Sequence, residues 1–433
     1  MKLPHVRPPH IHPPDLRPAL HSSLVYAYAA LKWLPAAGLV GLAGGALGAV
    51  FHHAIAWAAA FRLGHVWVLW LLPVGSVLIV LLYQGLRLPL DMGTNLIIEA
   101  VHSQKRIPFL LIPAILLGTV ATHFFGGSAG REGAALQLGG SLAFGIAGIL
   151  GVKDKEDRHL LILCGMASVF SALFGTPVTA AVFVLEVISV GRFFYSGMLP
   201  CLTASVVAYG LSRLTGGEVV RMSISLPGGV TAPLVLGTAV LAAACALMSI
   251  VFCVAIHRTG HYTAQWFKSP YLRGLILGCV LLGLTLLVGN QTYNGAGMDM
   301  VERAVAGEHV DWYAFALKML FTAVTLAAGY KGGEIVPTFF VGAAFGAAVG
   351  PLLGLPAGYS AAIGMVALFC GVVNCPFASI FLSVEIFGGE YLIPFALTCA
   401  LSYILSGYFG LYSSQHILRS KVGTELIDRE VSD

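Results

Sequence analysis

The chain has 433 residues, 58% hydrophobic and only 10% charged, with a formal net charge of +4. Soluble globular chains carry about 25% charged residues, so this composition excludes a soluble protein and reads as an all-α polytopic membrane protein. There is no basic patch with interleaved aromatics, which argues against a nucleic-acid partner, and no pattern calls for a cofactor or an enzyme.

Residues 1–22 are rich in proline and carry His5, His10, His12 and His21. They read as a loose polar tail; the histidines could bind metal, but proline-rich spacing preorganises no site. A charged start followed by an apolar core is missing, so no cleavable signal peptide is expected. A first membrane repeat is assigned to 23–213, with apolar segments at 24–62, 66–86 and 108–125. Several other segments are too short or too glycine-broken for a hydrocarbon core that needs about 20 residues. Between the second and third, Asp91–Arg106 opens with Gly93-Thr94-Asn95 and then turns helical, which suggests a helix starting at membrane depth.

Residues Gly126–Gly140 read GGSAGREGAALQLGG, with Arg131 and Glu132 side by side between glycines. Ionisable groups at membrane depth are costly and suggest function. The run after Glu132 predicts an apolar helix starting there, whose free N–H groups and positive dipole end suit an anion. The plainer alternative is a glycine-rich junction with a buried Arg–Glu pair. Residues Val152–His159 follow as a solvated loop, and Lys153, Lys155 and Arg158 favour the cytoplasmic side. Apolar segments then run over 160–190 and 196–213.

A polar inter-repeat loop at 214–230 leads to a second membrane repeat at 231–416. Its apolar segments are predicted at 231–256, 272–289, 312–330, 338–354, 361–386 and 391–408, with a loop holding His257, Arg258, His261 and Lys268 after the first. Residues 417–433 read as a short polar tail with no room for a regulatory domain. Asp91, Glu99 and Glu334 fall at expected element starts and read as structural; Lys318 and Lys331 are expected to snorkel or pair. The eight cysteines (Cys164, Cys201, Cys245, Cys253, Cys279, Cys370, Cys375 and Cys399) read as small buried hydrophobes, with no metal site.

The halves resemble each other. Gly165, Met166, Pro177 and Glu186 recur, 199 residues later, as Gly364, Met365, Pro376 and Glu385, while Phe183 becomes Leu382. Upstream of each copy lies a charged glycine-rich break, GREGA in the first half and GGEIVP in the second. Internal repeats with broken helices at corresponding positions point to a transporter whose site lies between the halves near the midplane. Parallel and inverted arrangements both remain open.

These residues resemble the CLC family of chloride channels and anion–proton antiporters, over about residues 30–415. Gly130-Arg131-Glu132-Gly133 is similar to the family's G-(K/R)-E-G-P motif, with Ala134 in place of proline, and Gly333–Pro337 to its G-x-F-x-P motif, with Ile335 in place of phenylalanine. Tyr412 stands where the family has its C-terminal tyrosine. The first family motif, G-S-G-I-P, is replaced by Gly93-Thr94-Asn95-Leu96-Ile97, which looks like the fluoride-transporting branch, as does the GGE form of the third motif.

The resemblance implies the CLC fold, with broken helices meeting at the midplane, and an antiporter exporting fluoride against protons from the inner membrane of a bacterium, as a homodimer. A chloride channel, or a chloride transporter without strict proton coupling, is the alternative. Glu132 would alternate between protonation and occupancy of the anion site. Gly93, Thr94, Asn95, Gly130, Arg131, Gly133, Ile335, Val336 and Tyr412 would form the anion site, from hydroxyl, amide and backbone N–H donors. Val336 stands where some members carry a polar side chain. Glu186 and Glu385 could relay protons, although capping a neighbouring broken helix is the favoured reading. Antiporters for chloride carry a second glutamate where this chain has Val187, which disfavours that activity.

Overall fold

The computed structural model describes residues 17–90, 93–103, 106–217, 219–226, 229–423 and 425–431. The first repeat opens with α1 (Arg17–Gly64), a short 3-10 turn at Val66–Leu71, α2 (Leu72–Gly85), α3 (Thr94–Ser103) and α4 (Leu111–Phe125). It continues through α5 (Glu132–Ile149), α6 (Lys155–Phe174), α7 (Pro177–Glu186), β1 (Ser189–Val190) and α8 (Met198–Leu214). Then come α9 (Ala232–Trp266), α10 (Pro270–Val288), α11 (Met298–Val305), α12 (Ala314–Ala327) and α13 (Ile335–Val349). The chain finishes with α14 (Ala357–Val373), α15 (Pro376–Phe387), α16 (Leu392–Leu405), β2 (His416–Arg419) and β3 (Leu426–Glu430). Six of the spans among the described residues are long and apolar enough to cross a membrane, and six further apolar helices have only 10–17 residues.

The segments expected at 160–190 and 361–386 are each broken, by one device used twice. Helix α6 ends on Gly175 at φ 69°, and α14 on Asn374 at φ 57°, both left-handed. Thr176 and Cys375 follow at φ −121° and −123°, each before a proline that starts the next helix. Proline excludes helical backbone from the residue before it and is preorganised for the first turn after it.

The new N-termini are capped across the repeat boundary. Glu186 accepts from the N–H groups of Phe377 (3.1 Å) and Ala378 (2.8 Å). Glu385 accepts from the N–H groups of Val178 (3.0 Å) and Thr179 (2.8 Å), and from the Thr179 hydroxyl at 2.6 Å. Each helix thus sets its C-terminal carboxylate on the other's N-terminus, so α7 and α15 run antiparallel and the repeats are inverted with respect to each other. Of the two readings for these acids, this is the capping one.

Small residues let the inner helices close up. Helix α5 packs on α6 and α13 on α14. A methyl group at Gly139 would lie 2.0 Å from the Gly165 carbonyl oxygen, and one at Gly342 2.4 Å from that of Gly364. Close backbone approach of this kind is how helices associate where lipid removes the hydrophobic drive.

Several expectations need correction. Helix α9 runs on to Trp266, so His257, Arg258 and His261 are helical and only Lys268 lies in the following loop. The charged run at 152–159 is a loop only as far as Asp154, whose side chain caps α6 by accepting from the Asp157 N–H at 3.0 Å. Helices make up the membrane part apart from the two-residue β1, and the C-terminal tail, read as short and polar, is built into a small sheet. Strand β2 pairs in parallel with β1 and antiparallel with β3, so a boundary at 416/417 would cut β2. Just before it, the Gln415 amide donates to the carbonyls of Val187 (2.9 Å) and Val373 (3.0 Å), closing the C-terminal ends of α7 and α14.

Helix α1 begins at Arg17, inside the stretch read as tail, whereas His5, His10, His12 and Asp91 lie outside the described residues. Glu99 sits in the second turn of α3 rather than at its start. Seven cysteines are buried, but Cys279 is exposed. Lys318 does not snorkel: fully buried, it donates to the carbonyls of Tyr293 (3.2 Å) and Gly295 (2.8 Å). Carbonyl oxygens replace the water an ammonium would otherwise need.

Candidate functional site

Two loops meet where α5 and α13 begin. Gly130 and Gly333 form an isolated antiparallel bridge, donating to each other's carbonyls at 2.7 and 2.8 Å. Helix α5 leaves this bridge at Glu132 and α13 leaves it at Ile335. Two helix N-termini, one from each repeat, therefore share one small volume, and their first N–H groups have no partner within their own helices.

Glu132 is fully buried there. Its Oε2 accepts from the Val336 N–H at 3.3 Å, across the repeat boundary. Its Oε1 is buried without a hydrogen-bond partner. The neighbouring glycines make room for this carboxyl. A methyl group at Gly130 would lie 2.0 Å from Glu132 Oε2, and one at Gly333 2.9 Å from the same atom. One at Gly133 would lie 2.8 Å from Thr94 Oγ1. A negatively charged group at paired helix N-termini is electrostatically favoured, and the groups that hold the carboxylate are those that would hold a free anion.

The other residues singled out in the sequence are brought together unequally. The Thr94 hydroxyl donates to the Gly133 carbonyl at 3.3 Å and accepts from the Gln137 amide at 3.4 Å, so it lies against the first turn of α5. Asn95 faces the other way along the loop of Tyr412: its amide donates to Ser413 Oγ at 3.0 Å and its carbonyl accepts from the Ser414 N–H at 3.3 Å. Tyr412 is buried and its hydroxyl has no partner. Glu132 and Glu334 both lie within electrostatic reach of it. Ile335 and Val336 are buried, and Val336 contributes its backbone N–H. The Arg131 guanidinium points to His52 Nδ1 (2.9 Å) and the Leu173 carbonyl (3.1 Å).

Two cavities flank the bridge. One, of about 510 Å³, is lined by His52, Arg62, His123, Arg131, Asp299, Glu302, Arg303 and Val336 among others, so charges of both signs flank the approach to α13. The second, of about 180 Å³, is lined by Gly93, Thr94, Gln137, Lys331 and Glu334 among others. Glu334 is the N-cap residue of α13, as its reading as a helix-start acid has it, and it also lines this cavity. Its place beside Gly333, opposite the Gly130–Glu132 stretch, was the available signal. Ser413, Gln137 and Gln415 carried no such signal, since nothing local marks them.

A family model described as voltage gated chloride channel matches residues 75–407. A chloride/fluoride channel protein of Pseudomonas syringae pv. tomato is 36% identical over 406 residues, covering 90% of this chain and 87% of that protein. An H(+)/Cl(-) exchange transporter of Salmonella typhimurium is 24% identical over 412 residues, covering 87% and 86% of the two chains. Among solved structures, a CLC-type fluoride/proton antiporter superposes with a TM-score of 0.85 at 30% identity, covering 89% of this chain and 98% of the other. A slow cyanobacterial Cl-/H+ antiporter superposes at 0.74 with 20% identity, covering 87% and 94%, a likeness of fold.

Proposed function

The chain belongs to the voltage gated chloride channel family of membrane proteins, and from that premise we propose that it exports fluoride in exchange for protons. The observation that carries the reading is the half-satisfied carboxyl of Glu132, buried on an N–H group of the opposite repeat with its second oxygen unpartnered. As a carboxylate it occupies the amide cradle; once protonated it loses the charge that holds it there and yields the cradle to an anion. One group binding either a proton or, by leaving, an anion couples their opposite movements.

Fluoride is favoured as the anion by two similar proteins: a relative named for chloride and fluoride, and a solved structure described as a fluoride/proton antiporter. The donors around Thr94, Asn95 and Tyr412 support it chemically, because a small anion leaving water needs several hydrogen bonds in return. In the present arrangement Thr94 and Asn95 donate to Gly133 and Ser413, so an anion would compete for those donors or settle on the Tyr412 hydroxyl. The chloride reading has one observation in its favour: Val336 presents an apolar side chain at this wall. We place the protein in the plasma membrane of a bacterium, as a homodimer with one pathway per subunit.

Ion flux from proteoliposomes tests this. Fluoride efflux that drives proton uptake, with the proton movement abolished in Glu132→Gln, is the expected result. Chloride flux without proton movement would select the channel reading instead.

A further inference from the structure

The two helix breaks are built alike but turn on different residues. The first repeat turns on Gly175 (φ 69°), the second on Asn374 (φ 57°). Glycine adopts a left-handed turn without strain, so turning the chain does not call for asparagine. What asparagine adds is a side chain, which is buried and fully bonded. Its Nδ2 donates to the Phe409 carbonyl and to Gln415 Oε1, both at 3.1 Å. Its Oδ1 accepts from the Lys421 ammonium.

Lys421 is half-buried in the turn between β2 and β3. Besides Asn374, its ammonium donates to the Tyr403 carbonyl (2.9 Å) and to Ser406 Oγ (3.1 Å), and it stands 4.5 Å from the centre of the Tyr403 ring. All three acceptors are neutral. Bonds from a charged donor are the strong ones, so the tail grips Asn374 firmly.

Asn374 in turn holds the segment that carries Tyr412. Phe409 and Gln415 flank that residue. The Leu411 N–H donates to the Val372 carbonyl at 2.8 Å, and the Gln415 N–H to the Tyr412 carbonyl at 3.0 Å. The Gln415 amide ties the same segment to Val187 of the first repeat and Val373 of the second. Gly410 permits the close fit, since a methyl there would lie 2.7 Å from Asn374 Nδ2. The backbone is thus pinned on both sides of Tyr412, while its hydroxyl has no partner and lies within electrostatic reach of Glu132 and Glu334. A donor aimed in advance has little ordering left to lose when a ligand takes it.

We propose that Asn374 and Lys421 are positioning residues for transport: through them the C-terminal tail fixes the loop that presents the Tyr412 hydroxyl to the anion. The inference rests on the transport reading above and gives the tail a part in it.

Fluoride efflux from proteoliposomes, measured against fluoride concentration, tests this. Asn374→Gly keeps the left-handed turn and cuts the link; Lys421→Met removes the ammonium at similar length. Each should raise the half-saturating fluoride concentration ~10-fold or more, equivalent to about 1.4 kcal/mol, with the maximal rate within about twofold of wild type. In a Tyr412→Phe background neither should shift it further, because a residue acting through the hydroxyl has nothing left to position. Asn374→Gly decides the matter if Lys421→Met does not fold. Unchanged half-saturation in Asn374→Gly, or the same shift with and without the hydroxyl, would overturn the proposal: the tail would then only hold α14 and α15 together. A wild type that exchanges no fluoride for protons would instead bring down the transport reading, and this inference with it.

Discussion

Three carboxyl groups in this protein reach across the repeat boundary to a helix N-terminus, and they are not alike. Glu186 accepts two backbone N–H bonds, and Glu385 accepts two plus a hydroxyl. Glu132 accepts one from the opposite repeat, at 3.3 Å, lies against the N–H groups of its own first turn, and keeps an oxygen with no partner in hydrogen-bonding geometry. The first two are saturated and hold α7 and α15 in place. The third is held more loosely, as the proposed exchange with an anion would require. Saturation, rather than burial or charge, separates the two capping acids from the one proposed to move.

The contrast can be broken from either side. Glu385→Ala removes three hydrogen bonds at once and exposes the start of α7 to unpaired burial; at about 1–2 kcal/mol each, a loss of ~3 kcal/mol or more is expected, visible as a lower melting temperature in detergent. A loss as small as that of an ordinary surface substitution would refute the structural assignment. Gly139→Ala drives a methyl to 2.0 Å from the Gly165 carbonyl oxygen. Backbone cannot move aside cheaply, so ~1–3 kcal/mol of destabilisation is expected, with the same cost at Gly342→Ala if the repeats pack equivalently. Asn95→Ala frees the loop of Tyr412 from two hydrogen bonds. About 1–2 kcal/mol of stability and slower fluoride efflux are expected, and unchanged flux would show that the loop needs no such tether. The smallest effect on stability belongs to Glu132→Gln, which trades one long bond for a neutral donor and acceptor: a change of about 1 kcal/mol or less is expected, together with the loss of proton coupling that the proposed function requires.

Much of this arrangement was legible in the sequence. The helix starts at Thr94 and Glu132 follow from glycine and the apolar runs behind them, and the recurrence of Gly165–Pro177–Glu186 at Gly364–Pro376–Glu385 exposed the repeat. The breaks after Gly175 and Asn374 were harder, because helices buried on every side carry no periodicity to show where they stop. The inverted relation needed the partners of Glu186 and Glu385, 191 to 207 residues away. Asn95 was read as an anion ligand from its motif alone, whereas the residue it bonds lies 318 positions later. Strands β2 and β3 passed for a tail because β1 has only two residues and leaves no strand pattern.

The central claim is that the Glu132 carboxylate and a fluoride ion contend for one set of amide hydrogens. Linkage makes the contest measurable: if the ion can bind there only when the carboxyl is protonated, binding must take up a proton and weaken as pH rises. Fluoride titrations of wild type and Glu132→Gln across a pH series read this directly. The wild-type affinity of the cradle should fall with rising pH, while that of Glu132→Gln stays flat. The same pH slope in both proteins, or none in the wild type, would contradict the account.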